Sequence, residues 1–141
     1  MYQSPKLIFK KLAKKITSTY DEFGEFASTN TNFVFNPTNN YSLAFLAVFM
    51  NSSLMNFLYK QLFGGLSMVG SYQFQAPQIR VLPVPHMHLI SNQNMLDLIE
   101  DIEKRGVEAI DNALIEAFDK EIYKIYGLTE NEIKVISNCS P

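Results

Sequence analysis

Residues 43–63 limit what this chain can fold into more than any other stretch. Leu43, Ala44, Phe45, Leu46, Ala47, Val48, Phe49 and Met50 run without a polar interruption. After Asn51-Ser52-Ser53 come Leu54, Met55, Phe57, Leu58, Tyr59, Leu62 and Phe63. A segment of this length could cross a bilayer, but the polar triplet divides it, and Asn56, Lys60 and Gln61 follow. The pattern predicts two helices joined at the triplet. Ser42 caps the first, Asn51 ends it, Ser52 or Ser53 caps the second, and Gly64-Gly65 stops it. Apolar side chains nearly all round predict a central buried element rather than a membrane span.

The stretches on either side have a different period. Residues 6–10 and 15–20 are short β-prone runs, and residues 21–24 (Asp21-Glu22-Phe23-Gly24) are turn chemistry. Residues 25–27 start a further strand, and residues 32–36 form another, stopped by Pro37. Residues 72–75 alternate like a strand. Residues 79–85 (Ile79-Arg80-Val81-Leu82-Pro83-Val84-Pro85) predict a short strand leaving through prolines. From Asn92 onward the apolar spacing is three and four: Met95, Leu98, Ile99 and Ile102, then Val107, Ile110, Leu114, Phe118, Ile122 and Ile125. Gly106 breaks this stripe, Gly127 closes it, and Thr129-Glu130-Asn131-Glu132 is a capping box for a terminal helix. The expected fold class is α+β, with N-terminal antiparallel strands around a central buried helix pair and a C-terminal helical segment after them. The expected division is an α/β domain over residues 1–90 and helices over residues 91–141.

Charge is distributed unevenly. Residues 1–90 carry seven basic side chains (Lys6, Lys10, Lys11, Lys14, Lys15, Lys60, Arg80) and three acidic ones (Asp21, Glu22, Glu25), a net of +4. Residues 91–141 carry five basic and eleven acidic side chains, a net of −6, which together return the overall −2. Such asymmetry suits a half that meets a polyanion and a half that does not. The carboxylates of the C-terminal helices read as a solvated face. The single cysteine, Cys139, excludes a disulfide framework and fits a reducing, cytoplasmic setting.

No catalytic constellation can be assembled. His86 and His88 flank Met87 without a nearby third ligand, so no metal site is expected. Neither a phosphate-binding loop nor a nucleophile elbow is present. The positive feature is the cluster of Lys6, Lys10, Lys11, Lys14 and Lys15, five ammonium groups within ten residues. Such a cluster can neutralise phosphates and release counterions, which fixes position without reading sequence. Beside it lie Asn30, Asn32, Gln73 and Gln75, side chains able to grip adenine through paired hydrogen bonds in the major groove. With Arg80, these ten residues are the candidate DNA contacts. The alternative function is a protein-interaction or assembly module that docks through the apolar stripe of the C-terminal helices.

Four stretches, taken in order, resemble the TaqI-like C-terminal specificity domain, the target-recognition domain of type II restriction–modification adenine methyltransferases. They are residues 5–10 with 19–26 and 33–37; residues 41–52, ending in Met50-Asn51-Ser52, with 54–60; residues 70–74 leading to 79–85; and residues 117–133, in which Asp119, Tyr123 and Tyr126 precede Gly127-Leu128-Thr129. The resemblance implies a non-catalytic module that binds double-stranded DNA. It implies a companion catalytic domain that holds S-adenosylmethionine and flips the target adenine out of the stack, with or without a fused endonuclease. The family's loops that read DNA vary most, so the resemblance nominates no base-reading residue. The catalytic Asn-Pro-Pro-Tyr motif of such methyltransferases is absent, since Asn36-Pro37 is followed by Thr38. The expectation is therefore a fragment or separately encoded module without methyl-transfer activity.

Overall fold

The computed structural model describes residues 6–10, 12–13, 18–21, 31–34, 42–63, 67–68, 71–73, 76–86, 90–106 and 110–138. Most of the described chain is helical. The strands are short: β1 (Lys6–Lys10), β2 (Leu12–Ala13), β3 (Ser18–Asp21), β4 (Thr31–Val34), β5 (Ser67–Met68) and β6 (Ser71–Gln73). The helices are α1 (Leu43–Asn51), α2 (Ser53–Phe63), α3 (Ala76–Arg80), α4 (Gln93–Arg105), α5 (Asn112–Tyr126) and α6 (Glu130–Asn138).

The strands form two three-stranded groups, ordered β3-β1-β4 and β2-β6-β5. In the first, β1 pairs antiparallel with both neighbours; Leu7 stands opposite Tyr20 on one side and Val34 on the other. In the second, β6 pairs antiparallel with β2 and β5, with Gln73 opposite Leu12. The expected strand at residues 25–27 lies outside the described residues.

Helix α1 is the centre of the molecule. Every residue from Ala44 to Asn51 is buried, and the helix packs against β1, β3, α2, α4 and α5. Ser42 caps it, its Oγ accepting from the Phe45 amide at 3.3 Å. The rings of Phe45 and Phe49 stack with centroids 5.6 Å apart. Phe118 of α5 closes on both, at 5.9 and 6.2 Å, in the tilted and edge-on arrangements aromatic quadrupoles prefer. Helix α2 departs from the expected fully buried pair. Only Met55, Asn56 and Tyr59 are buried in it, while Gln61 and Leu62 are exposed. Its moderate apolar content covers one face, not the whole circumference.

One stretch adopts a different structure from the one its sequence suggests. The expected strand over residues 79–85 is instead the helical turn α3, which ends at Arg80, followed by an irregular exit. Pro77 sits in the first turn of α3, where its missing N–H is an orphan in any case. Farther along, Asn92 caps α4 by accepting from the Met95 amide at 2.7 Å, and Asp111 caps α5 by accepting from Leu114 at 2.8 Å. Gly106 and Gly127 take positive φ at the ends of α4 and α5, where an L-residue would be strained. The capping box closes as its spacing predicts: the Glu132 amide donates to Thr129 Oγ1 at 3.2 Å, and the Thr129 amide donates to Glu132 Oε2 at 2.7 Å.

Candidate nucleic-acid interface

The ten candidate contacts divide by how far the structure describes them. Lys11, Lys14, Lys15, Asn30 and Gln75 lie outside the described residues. Lys10, Asn32 and Gln73 are placed by the backbone. The β1–β4 register sets Lys10 opposite Thr31 and Phe9 opposite Asn32, so Lys10 and Asn32 are close along the sheet but take opposite faces of it. Two residues beyond Lys10 in the chain, Leu12 starts the second sheet, where it pairs with Gln73. The topology thus brings Lys10, Asn32 and Gln73 close to the junction between the sheets, with Asn32 on the face of β1 that bears Leu7 and Phe9, and Lys10 on the other. Arg80 is exposed in the last turn of α3.

Lys6 does not fit a phosphate-facing role. Its side chain is 0% exposed, its register position is opposite Asp21, and it already has an interaction partner. An ammonium withdrawn from solvent cannot meet a duplex without a rearrangement that uncovers it. It leaves the candidate surface as a correction to the lysine cluster. Among the described residues no group of three or more His, Cys, Asp or Glu is placed to hold a metal ion, and no helix is long and apolar enough to cross a membrane.

Between α1 and β3 lies a buried polar network whose pairings the residue pattern alone does not reveal. Asn51, at the end of α1, grips Ser18, the first residue of β3. The Ser18 amide donates to Asn51 Oδ1 at 3.0 Å, and Asn51 Nδ2 donates to the Ser18 carbonyl at 2.7 Å. The same Nδ2 reaches Ser18 Oγ at 2.9 Å and the Ala47 carbonyl at 2.8 Å. Ser18 Oγ in turn donates to the Ala47 carbonyl at 2.7 Å. Ser52 serves both helices: its hydroxyl donates to the Phe49 carbonyl at 2.6 Å and accepts from the Met55 amide at 3.2 Å.

Asp119 completes the network from α5. It accepts from the Ser53 amide at 3.0 Å and from Ser53 Oγ at 2.7 Å, placing a carboxylate at the positive end of α2. At 9% exposure, it is not part of the solvated acidic face that the composition suggests. Tyr123 lies one turn on. Burial, and after it the charge of Asp119, raises its phenol above the ordinary value. The sequence does carry one signal of this pairing: Asp119 and Tyr123 share a helical face at a spacing of four and sit beside the stripe residues Phe118 and Ile122.

The apolar stripe expected to dock a partner is used within the chain. Met95, Ile99, Ile102, Leu114, Phe118 and Ile122 all belong to one core cluster with Leu7 and the residues of α1.

No curated protein matches the chain. Among protein-family models, the one describing the TaqI-like C-terminal specificity domain matches residues 1–84. That span takes in both strand groups, α1, α2, α3 and the junction that carries Lys10, Asn32 and Gln73. The chain therefore belongs to the TaqI-like C-terminal specificity domain family.

Proposed function

We propose that this chain recognises a specific sequence in double-stranded DNA, as the non-catalytic specificity domain of a restriction–modification adenine methyltransferase. The observation that carries the reading is the family match over residues 1–84, the same part of the chain that holds the positive charge. Lys10, Lys11, Lys14, Lys15 and Arg80 hold the phosphates, and Asn30, Asn32, Gln73 and Gln75 supply the base contacts. A companion catalytic domain, working with it in the cytoplasm, binds S-adenosylmethionine and modifies the flipped adenine. Docking through the C-terminal stripe is not favoured, because Met95, Ile99, Ile102, Leu114, Phe118 and Ile122 of that stripe are already buried in this chain's own core.

The test is selection of a bound sequence from a random duplex pool, followed by titration of that duplex at several salt concentrations. The reading expects affinity to fall steeply with salt. Replacing Lys10, Lys11, Lys14 and Lys15 together by alanine lowers affinity for all sequences and flattens the salt slope by about one for each phosphate no longer neutralised. Asn32→Ala and Gln73→Ala instead relax the preference at individual base pairs, by about 1–3 kcal/mol for each bidentate pair removed. A quadruple variant that binds as the parent does would refute the phosphate assignment, and a pool that yields no preferred sequence would refute specificity.

A further inference from the structure

We infer that Asp119 is a positioning residue for the sheet bearing the candidate DNA contacts, acting through the α1–α2 joint and Asn51. The inference rests on the DNA reading for its consequence in binding, but its geometry is independent of that reading. Asp119 lies beyond the family-matched residues, yet its carboxylate holds the first residue of α2 through both the Ser53 amide and hydroxyl. Ser53 adjoins Ser52, whose amide closes α1 onto the Phe49 carbonyl at 3.1 Å. Asn51 adjoins Ser52 in turn and fastens Ser18 by backbone donor and acceptor together. Ser18 is paired in register with Phe9, next to Lys10. A path of covalent bonds, hydrogen bonds and strand pairing therefore runs from α5 to the strand that carries Lys10.

The environment gives this path stiffness. Ser18, Asn51, Ser52 and Asp119 are all buried, so their hydrogen bonds act in a low dielectric and an unpaired member is costly. Base contacts need supporting groups that hold them to within about 0.5 Å. The carboxylate on α5 meets that need by fixing the angle at which α1 hands over to α2.

The experiment combines duplex binding with native-state amide exchange, using Asp119→Ala, Asp119→Asn, Asn51→Ala and the double variant Asn51→Ala/Asp119→Ala in the full chain. Asp119→Ala is expected to weaken binding roughly tenfold, about 1.4 kcal/mol. The salt slope should not change, because every lysine remains. Asp119→Asn restores most of the affinity, since an amide oxygen still accepts from the Ser53 amide and its NH2 can donate to Ser53 Oγ. The double variant is expected to bind no more weakly than Asn51→Ala alone, the signature of two residues acting through one path. Exchange at the Ser18 amide accelerates roughly tenfold in Asp119→Ala, alongside that at Ser53. If Asp119→Ala does not fold, Ser53→Ala removes only the hydroxyl half of the clamp and enters the same cycle. Losses that multiply in the double variant, or faster exchange confined to Ser53, would overturn the inference. If the parent binds no duplex at all, the DNA reading fails, and the Ser18 exchange alone decides whether Asp119 reaches the sheet.

Discussion

Replacing Phe118 with alanine asks whether the helices beyond the family-matched region share one core with it. The Phe118 ring is fully buried and lies against Phe45 and Phe49 with centroids 5.9 and 6.2 Å away. Removing a buried phenylalanine side chain costs about 3–5 kcal/mol, the lost transfer energy plus the cavity left behind. The site has little freedom to collapse, since α1, which carries Phe45 and Phe49, is itself packed on β1 and β3. A loss of about 4 kcal/mol is therefore expected, from a total of about 5–15 kcal/mol for a domain. With a urea dependence of about 2 kcal/mol per molar, the unfolding midpoint falls by about 2 M. Urea titration followed by far-ultraviolet circular dichroism and by tyrosine fluorescence measures this. The two probes should give a single shared transition, because strands and C-terminal helices unfold together. A shift worth less than about 1 kcal/mol would refute the reasoning. So would a variant in which only part of the signal moves, leaving an earlier transition unchanged.

Three further outcomes follow from local features. Gly127→Ala is expected to cost about 1 kcal/mol from the left-handed backbone alone, because φ is +63° and an added Cβ meets nothing within 4 Å; thermal melts of the alanine and asparagine variants check this, with asparagine the milder. Thr129→Ala removes one half of the capping box and costs about 1 kcal/mol, read as faster amide exchange in α6 while α1 stays protected. Burial raises the Tyr59 phenol above its ordinary value of 10.0, so the folded chain holds that proton longer than the unfolded one. Its contribution to stability is complete below pH 10 and is lost as pH rises through the folded value; Tyr59→Phe should flatten the alkaline decline in melting temperature, and an unchanged decline would count against it.

What could be read in the sequence was whatever depends on near neighbours. Ser42, Asn92 and Thr129 announce helix starts because a cap and its partner amide lie within three residues. The stripe through Ile102, Leu114, Phe118 and Ile122 announces burial because its period is the helix's own. Asn51 could be read as a helix end, but not as the side chain that grips Ser18, because that partner lies 33 residues away. Asp119 has the same history at a separation of 66. On composition it belongs to an acidic face, and only the packing of α5 on the α1–α2 joint turns it inward. At residues 79–85 the β-branched residues and prolines suggest a strand, but the first-turn proline of α3 is equally at home in a helix. Lys6 ranks among the phosphate contacts only through its neighbours in the chain. The fold instead buries it on β1 opposite Asp21.

The bond between Asn51 and Ser18 bears on solubility as well. With the order β3-β1-β4, β3 is an outer strand among the described residues, and an outer strand offers backbone groups on which a second molecule can add a strand of its own. The carboxamide satisfies the amide and the carbonyl of Ser18 at once, as a neighbouring peptide unit would. The start of that rim is thereby blocked by a side chain from the molecule's own interior, and self-association by strand addition is denied its first foothold there.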